Sequence, residues 1–352
     1  MTWQCVARPN AHDSGRDRAA RPVRYVLLML LLLGDLGWVP PVRPAPPQFV
    51  VVSFDGAGDA ADVDRWVAAG ARTNARFTFF LSGVYLLAGD RAGIYRPPQH
   101  RPGASDIGFA IAFPGEDVRV NIGRLVRSLN DADAAGHEVA SHFNGHFCGR
   151  AAGAVGSWGP ADWGHEIEAF ADLVTNVDAH NDLGGVSAAF DARGGARTPC
   201  LEGVLAFERG ALGAAGYRYD ASEPGDRAPY RADGIWEIPI PLMRVAGTAD
   251  RTLATDYNLY LYQSQAADAD PAELASLRAQ ALATYRSYFW THYEGAREPV
   301  IFAHHFENWN DGLYSSVLEQ VLAEICVLRD VRCVSYRTLV DDLDARSAAE
   351  KR

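Results

Sequence analysis

The sequence predicts an α/β fold in which a parallel sheet closes, or nearly closes, into a (β/α) barrel. Strand-like and helix-like stretches alternate over most of the chain, the pattern of successive β-α-β units. The strand-like stretches are unbroken apolar runs, Phe49-Val-Val-Val-Ser-Phe54 being the clearest, as expected where both faces of a strand are covered. With 352 residues, 48% of them apolar, the chain can bury a core of barrel size. It carries no internal repeat, no GxGxxG and no P-loop. We assign a single barrel domain to residues 48–345.

Residues 1–47 read as a separate N-terminal segment. Arg8, Arg16, Arg18, Arg21 and Arg24 precede an apolar run over 25–33, which Gly34-Asp35 then breaks. Such a run is too short for a bilayer, which takes about 20 residues. A basic stretch before a short apolar one reads as a secretory signal. No A-x-A cleavage site follows, so an uncleaved anchor is the alternative and the one expected route to a membrane. Pro40-Pro41 and the prolines up to Pro47 make an extended linker.

The predicted elements follow in order. The first strand, 49–54, ends at Asp55-Gly56, and a helix over 62–69 follows it. A β-branched and aromatic strand covers 75–81. A Pro- and Gly-rich insert over 85–121 is read as loop across one rim. Helical spacing over 122–135 leads to a strand at 137–141. An amphipathic helix is expected over 162–179, a strand over 185–190 and a helix over 201–215. Short strands are read at 217–220 and 235–240, the second limited by Pro239. A long helix starts at Pro271 and runs to 293, with Pro at its first turn. The last elements are a strand at 298–304, a helix at 314–328 and a strand at 333–336.

The formal net charge of −11 comes without any basic stripe, which argues against nucleic acid as partner. An uncharged glycan is compatible with it. Four of the five cysteines lie inside the barrel domain, and two bridges in an oxidising space are expected, Cys148–Cys200 and Cys326–Cys333. Cys5 falls in the signal segment.

Chemistry concentrates at one set of positions. His142 and His146 stand four apart just after a strand, and neutral imidazole is the commonest protein metal ligand. Asp55, His142, Arg197, Asp220 and His304 all fall at the carboxyl ends of predicted strands, where barrels of this kind gather their catalytic groups. Trp158, Trp163, Trp236 and Trp309 are candidates for walls on which a sugar face stacks, Trp236 the weakest because it lies in a strand.

Taken in order, Ser53-Phe-Asp-Gly56, Ser141-His-Phe-Asn-Gly-His146, Arg197-Thr-Pro-Cys200, Tyr219-Asp-Ala-Ser222 and Ile301-Phe-Ala-His304 resemble the motif set of the polysaccharide deacetylases, the NodB-homology carbohydrate esterases. The resemblance spans 49–339 and lies in the ordered set more than in any one motif. It implies a distorted (β/α) barrel that removes N- or O-acetyl groups from an extracellular polysaccharide with one divalent ion, most often zinc. By position it makes Asp55 the general base, His142 and His146 the metal ligands and Arg197 the residue that orients the base. It places the oxyanion donor at the Cys200 backbone and the general acid at His304, with Asp220 or Asp233 tuning that histidine. His304 and His305 must point to opposite faces of a strand, and the motif position selects His304.

Three positions depart from the family pattern. Gly56 replaces a metal-binding aspartate, Phe143 a Ser or Thr, and Phe147 a proline. A catalytic zinc takes three protein ligands and leaves a position open. Asp59, or Asp55 itself, is therefore expected to complete the set. Gly56 also motivates a second expectation, a degenerate domain that binds glycan without catalysis.

Overall fold

The computed structural model describes residues 46–350. The signal segment, Cys5 and the linker up to residue 45 lie outside the described residues. Among the described residues no helix is long and apolar enough to cross a membrane.

The described residues begin with β1 (Gln48–Asp55), α1 (Ala60–Thr73) and β2 (Thr78–Leu81). Then come α2 (Val118–Ala134), β3 (Glu138–Ser141), α3 (Pro160–Thr175) and the short α4 (Val177–Asn181). β4 (Gly195–Ala196), α5 (Leu205–Ala214), β5 (Tyr219–Asp220), β6 (Tyr230–Ala232) and β7 (Ile235–Glu237) complete one side of the sheet. A hairpin of β8 (Leu242–Arg244) and β9 (Arg251–Leu253) follows, then α6 (Asp256–Ser264) and α7 (Leu274–Glu294). The chain ends with β10 (Val300–His305), α8 (Trp309–Ile325), β11 (Val331–Val334) and α9 (Tyr336–Glu350).

The main sheet runs β10-β1-β2-β3-β4-β5-β7-β6, with β11 also pairing to β1. Every pairing is parallel except β6 with β7. The sheet curls but, among the described residues, its ends do not pair, which makes the barrel the distorted one expected. Its concave side holds Phe49, Val51, Phe80, Ala140, Tyr219, Ile301 and Tyr336 in one apolar cluster. Its convex side packs Val50, Val52, Phe54, Phe79 and Phe302 against the helices. Phe54 meets Trp66 of α1 with ring centroids 4.2 Å apart. Strand side chains alternate between these sides, so residue parity decides which groups enter the concave site.

Two close approaches shape the sheet. Gly195 is needed because a Cβ there would lie 2.0 Å from the Tyr219 ring. The second is the Cys326–Cys333 bridge, which closes the short connection from α8 to β11 with both cysteines buried.

Several expectations are corrected. The strand expected at 185–190 is irregular, and the sheet takes only Gly195–Ala196 from that region. The helix expected over 162–179 is broken at Asn176 into α3 and α4. The sequence reading missed β6, the β8–β9 hairpin, α6 and α9. The 85–121 insert is largely loop, with 3-10 turns at Gly83–Leu86 and Gly89–Ile94.

Candidate active site

Arg197 is the floor of the site. Fully buried after β4, it donates from Nη1 to Asp55 Oδ1 at 2.8 Å and to Ser53 Oγ at 2.7 Å. Its Nη2 donates to Tyr336 Oη at 2.8 Å and its Nε to the Ala221 carbonyl at 3.1 Å. The guanidinium also lies over Phe80, 4.4 Å from the ring centroid. Such a planar donor fork, locked on several sides, fixes a carboxylate far better than a lysine would. Burial pushes the Asp55 carboxyl up, but the charge and hydrogen bond of Arg197, together with the His305 charge, hold it below its ordinary value.

His142 follows β3 on the same concave side. Its Nδ1 donates to the Arg197 carbonyl at 2.9 Å, a bond that requires hydrogen on Nδ1 and leaves Nε2 with its lone pair. Burial drives its pKa down to about 3, so the ring is neutral at pH 7. A second bond that fixes the tautomer is what metal-binding imidazoles ordinarily carry. The His146 ring is 5.4 Å away, centroid to centroid, and tilted by 59°. His146 has φ +58°, and its Nδ1 lies 3.4 Å from Cys148 Sγ.

The Cys148–Cys200 bridge forms as expected and ties the His146 loop to the Arg197 loop. Cys200 itself takes a left-handed backbone, φ +57°.

β10 places two adjacent histidines on opposite sides. His305 is the Cα partner of Asp55 in the β1–β10 register and shares its concave side. Its Nδ1 is hydrogen-bonded to Asp256 Oδ1 at 2.8 Å, and its backbone N–H donates to Asp256 Oδ2 at 2.8 Å. Burial lowers the His305 pKa, yet the Asp256 carboxylate more than offsets this and lifts it to about 9.

His304 does not sit where the motif put it. It is fully buried between the sheet and α7, with Nε2 hydrogen-bonded to Tyr285 Oη at 3.0 Å. Its Nδ1 is 3.5 Å from Asp256 Oδ2, too long for a hydrogen bond. Burial takes its pKa down to about 4, a neutral ring.

The same parity moves Asp220. Tyr219 and Ala221 point into the concave core, so Asp220 points out, into a buried acidic cluster with Glu208 and Glu237. Asp233 pairs with Arg209 on the surface at 3.1 Å. The carboxylate beside the histidines is instead Asp256, at the start of α6, which the sequence reading had not placed in any element.

Asp59 is spent on structure: its Oδ1 accepts from Ala61 N–H at 2.8 Å and caps α1. Gly56 has φ +81°, a backbone region that penalises an aspartate.

Of the tryptophans, Trp158 and Trp163 are core, and Trp236 is buried with its indole N–H on Asp344 at 2.8 Å. Trp309 is half-buried beside the site, 5.3 Å from the His305 ring. It stacks on Tyr260, and exposed Tyr257 lies against it.

No known family profile and no curated protein matches the chain. Solved structures do. A Mycobacterium smegmatis protein assigned to the polysaccharide deacetylases superposes with a TM-score of 0.54 at 15% identity, covering 88% of this chain and 94% of that one. The carbohydrate deacetylase Agd3 superposes with a TM-score of 0.52 at 14% identity, over 86% of this chain and 54% of that one. The chain has the polysaccharide deacetylase fold. Within the polysaccharide deacetylase fold, its concave rim gathers Asp55, His142, His146, Arg197 and His305.

The donor set suits a divalent ion: two imidazoles, at least one with a free Nε2, and a carboxylate whose Oδ1 alone is engaged by Arg197. It is not drawn tight. Among the described residues, the three ligand atoms that lie within 4.8 Å of one another belong to His146, Cys148 and Cys200. Their two sulfurs are joined to each other. Closing Asp55, His142 and His146 on one ion requires side-chain rotation.

Proposed function

We propose that this chain is a metal-dependent deacetylase that hydrolyses acetyl groups, N-linked and in some substrates O-linked, from an extracellular polysaccharide. The observation that carries the reading is the Asp55–His305 pair. A carboxylate ionised by Arg197 and a histidinium sustained by Asp256 stand opposite each other on one rim, beside His142. Pushing the pKa values of two facing groups apart is how a site divides base from acid.

His142 and His146 would hold the ion, most often zinc in such sites, with Asp55 as the carboxylate on its third side. When bound, such an ion polarises the acetyl carbonyl and lowers the pKa of attacking water from about 15.7 to about 7. In the alternative in which Asp55 stands beside the ion and does not ligate it, Asp55 is the base that takes the proton from that water, kept in position by Arg197. His305, charged at neutral pH, protonates the leaving amine or alkoxide. A positioned acid of this kind contributes about 10²–10⁴-fold. The Cys200 N–H serves as donor to the oxyanion. Trp309 and Tyr257 offer the sugar an apolar face. Two disulfides suit action in an oxidising space outside the cytoplasm.

The test is acetate release from acetylated chito-oligosaccharide, peptidoglycan and acetylxylan by zinc-loaded protein. Release from any of them supports the reading; none from metal-bound protein overturns it. A second reading, glycan binding without turnover, is favoured by Gly56 and the open donor set. Calorimetric titration separates the two, since a binder holds the sugar while taking up zinc weakly.

A further inference from the structure

His146 belongs to two donor sets, and only one of them is open while the Cys148–Cys200 bridge is closed. We propose that reduction of this bridge creates a second metal site, a soft His146–Cys148–Cys200 set that takes a zinc-class ion and draws His146 away from Asp55 and His142.

One ligand atom from each of the three residues already falls within 4.8 Å of the others, so once the S–S bond breaks the sulfurs need only part slightly to flank one ion with His146. His146 Nδ1 faces Cys148 Sγ at 3.4 Å. Two thiolates and an imidazole form a ligand class that zinc favours, with one position left for water.

The bridge is also reachable. Cys148 and Cys200 are both exposed, whereas Cys326 and Cys333 are 5% and 7% exposed. A mild reductant should therefore open the first bridge and spare the second.

Opening it does not scatter the sulfurs. The Gly149 N–H donates to the Glu202 carboxylate, which joins the same two loops independently. The Arg197 N–H bond to the Ser141 carbonyl holds their bases together.

The chemistry balances with a dithiol as reductant. The dithiol passes two electrons and two protons to the S–S bond, leaving as its own cyclic disulfide and giving two thiols. A divalent ion then displaces both thiol protons as its two sulfur bonds form.

Cobalt(II) is the probe, because thiolate ligands give it an intense charge-transfer absorption that nitrogen and oxygen ligands do not. Full-length protein is reduced with a resin-bound dithiol, which is then removed, and the freed thiols are counted. The expected result is two free thiols, one cobalt ion per chain and a sulfur charge-transfer band absent from the oxidised protein. Cys148→Ser should abolish the band, and His146→Ala should weaken uptake by at least about tenfold. His142→Ala should leave the band in place, so this site is scored separately from the deacetylase reading. Two free thiols without a sulfur band, or a band unchanged in His146→Ala, would overturn the proposal.

Discussion

Asp55 and His305 are Cα partners across the parallel β1–β10 pair, while His304, one residue earlier, faces the helices. Strand alternation permits only one of the two histidines to reach the concave rim. Substituting His305 with Asn, whose Nδ2 can still donate to Asp256 but cannot give up a proton to the leaving group, should lower acetate release by about 10²–10⁴-fold with little change in melting temperature. His304→Ala should do the reverse, destabilising the fold by about 2 kcal/mol or more through a cavity and an orphaned Tyr285 hydroxyl. Parallel rate and thermal-melt measurements check both.

Asp256 sets the pH range of the acid. His305 donates only while protonated, so with its pKa lifted to about 9 the rate should hold through neutral pH and fall above about 9. In Asp256→Asn the raising charge is gone and burial remains, so that descending limb should move to lower pH by one unit or more. A limb that stays in place would remove His305 as the acid. A change confined to stability would leave the limb where it was, so the pH profile separates the two roles.

The parallel sheet and its first strands were legible because apolar runs such as 49–54 and 75–81 are too short for helices and rich in β-branched and aromatic residues. Asp55, His142 and Arg197, named by their motifs, are brought together on the concave side. His304 and Asp220 were misplaced for one common reason. Each sits one residue out of phase with the concave side, and a motif match carries no parity when the strand's register is unknown. Asp256 was hidden because Asp256-Tyr-Asn-Leu-Tyr-Leu-Tyr262 mixes exposed aromatics with buried ones, so α6 has no clean apolar stripe. Nothing local in the sequence links it to β10, some 49 residues on.

Asp59 and Asp55 can be told apart by metal content. Asp59 caps α1, and Asn caps a helix about as well as Asp. Asp59→Asn should therefore keep both the fold and the bound zinc. Asp59→Ala should cost about 1 kcal/mol of stability and no metal. Asp55→Asn should lose most of the zinc. Elemental analysis of the three purified variants decides it, and zinc lost with Asp59 but kept with Asp55 would reverse the ligand assignment.

Arg197 is a buried charge whose main counter-charge is Asp55. Replacing it with Met leaves that carboxylate in a desolvated place with no cation on its oxygen. Breaking a buried pair from one side costs about 3–5 kcal/mol. Denaturant titration should register a loss of this order, and the activity remaining should shift its ascending limb to higher pH, because Asp55 loses the group that keeps it ionised.

The outward-facing acids give the fold a pH dependence unrelated to catalysis. Burial raises Asp220 to about 6, and burial with the Asp220 charge raises Glu237 to about 8; Glu208 is raised in the same way. In the unfolded chain these carboxyls ionise near pH 4. Between pH 4 and about 8 the folded chain therefore holds more protons than the unfolded one, and stability must fall as pH rises. Asp220 alone, about two units up, corresponds to roughly 3 kcal/mol across that window. Neutral His142 and His304 act in the opposite sense below pH 6.5, so the wild-type curve is a sum of both. The difference between wild type and Asp220→Asn isolates the acids. The variant should gain on the wild type steadily from pH 5 to pH 8 in denaturant midpoint, and parallel curves would mean that the cluster is ionised throughout.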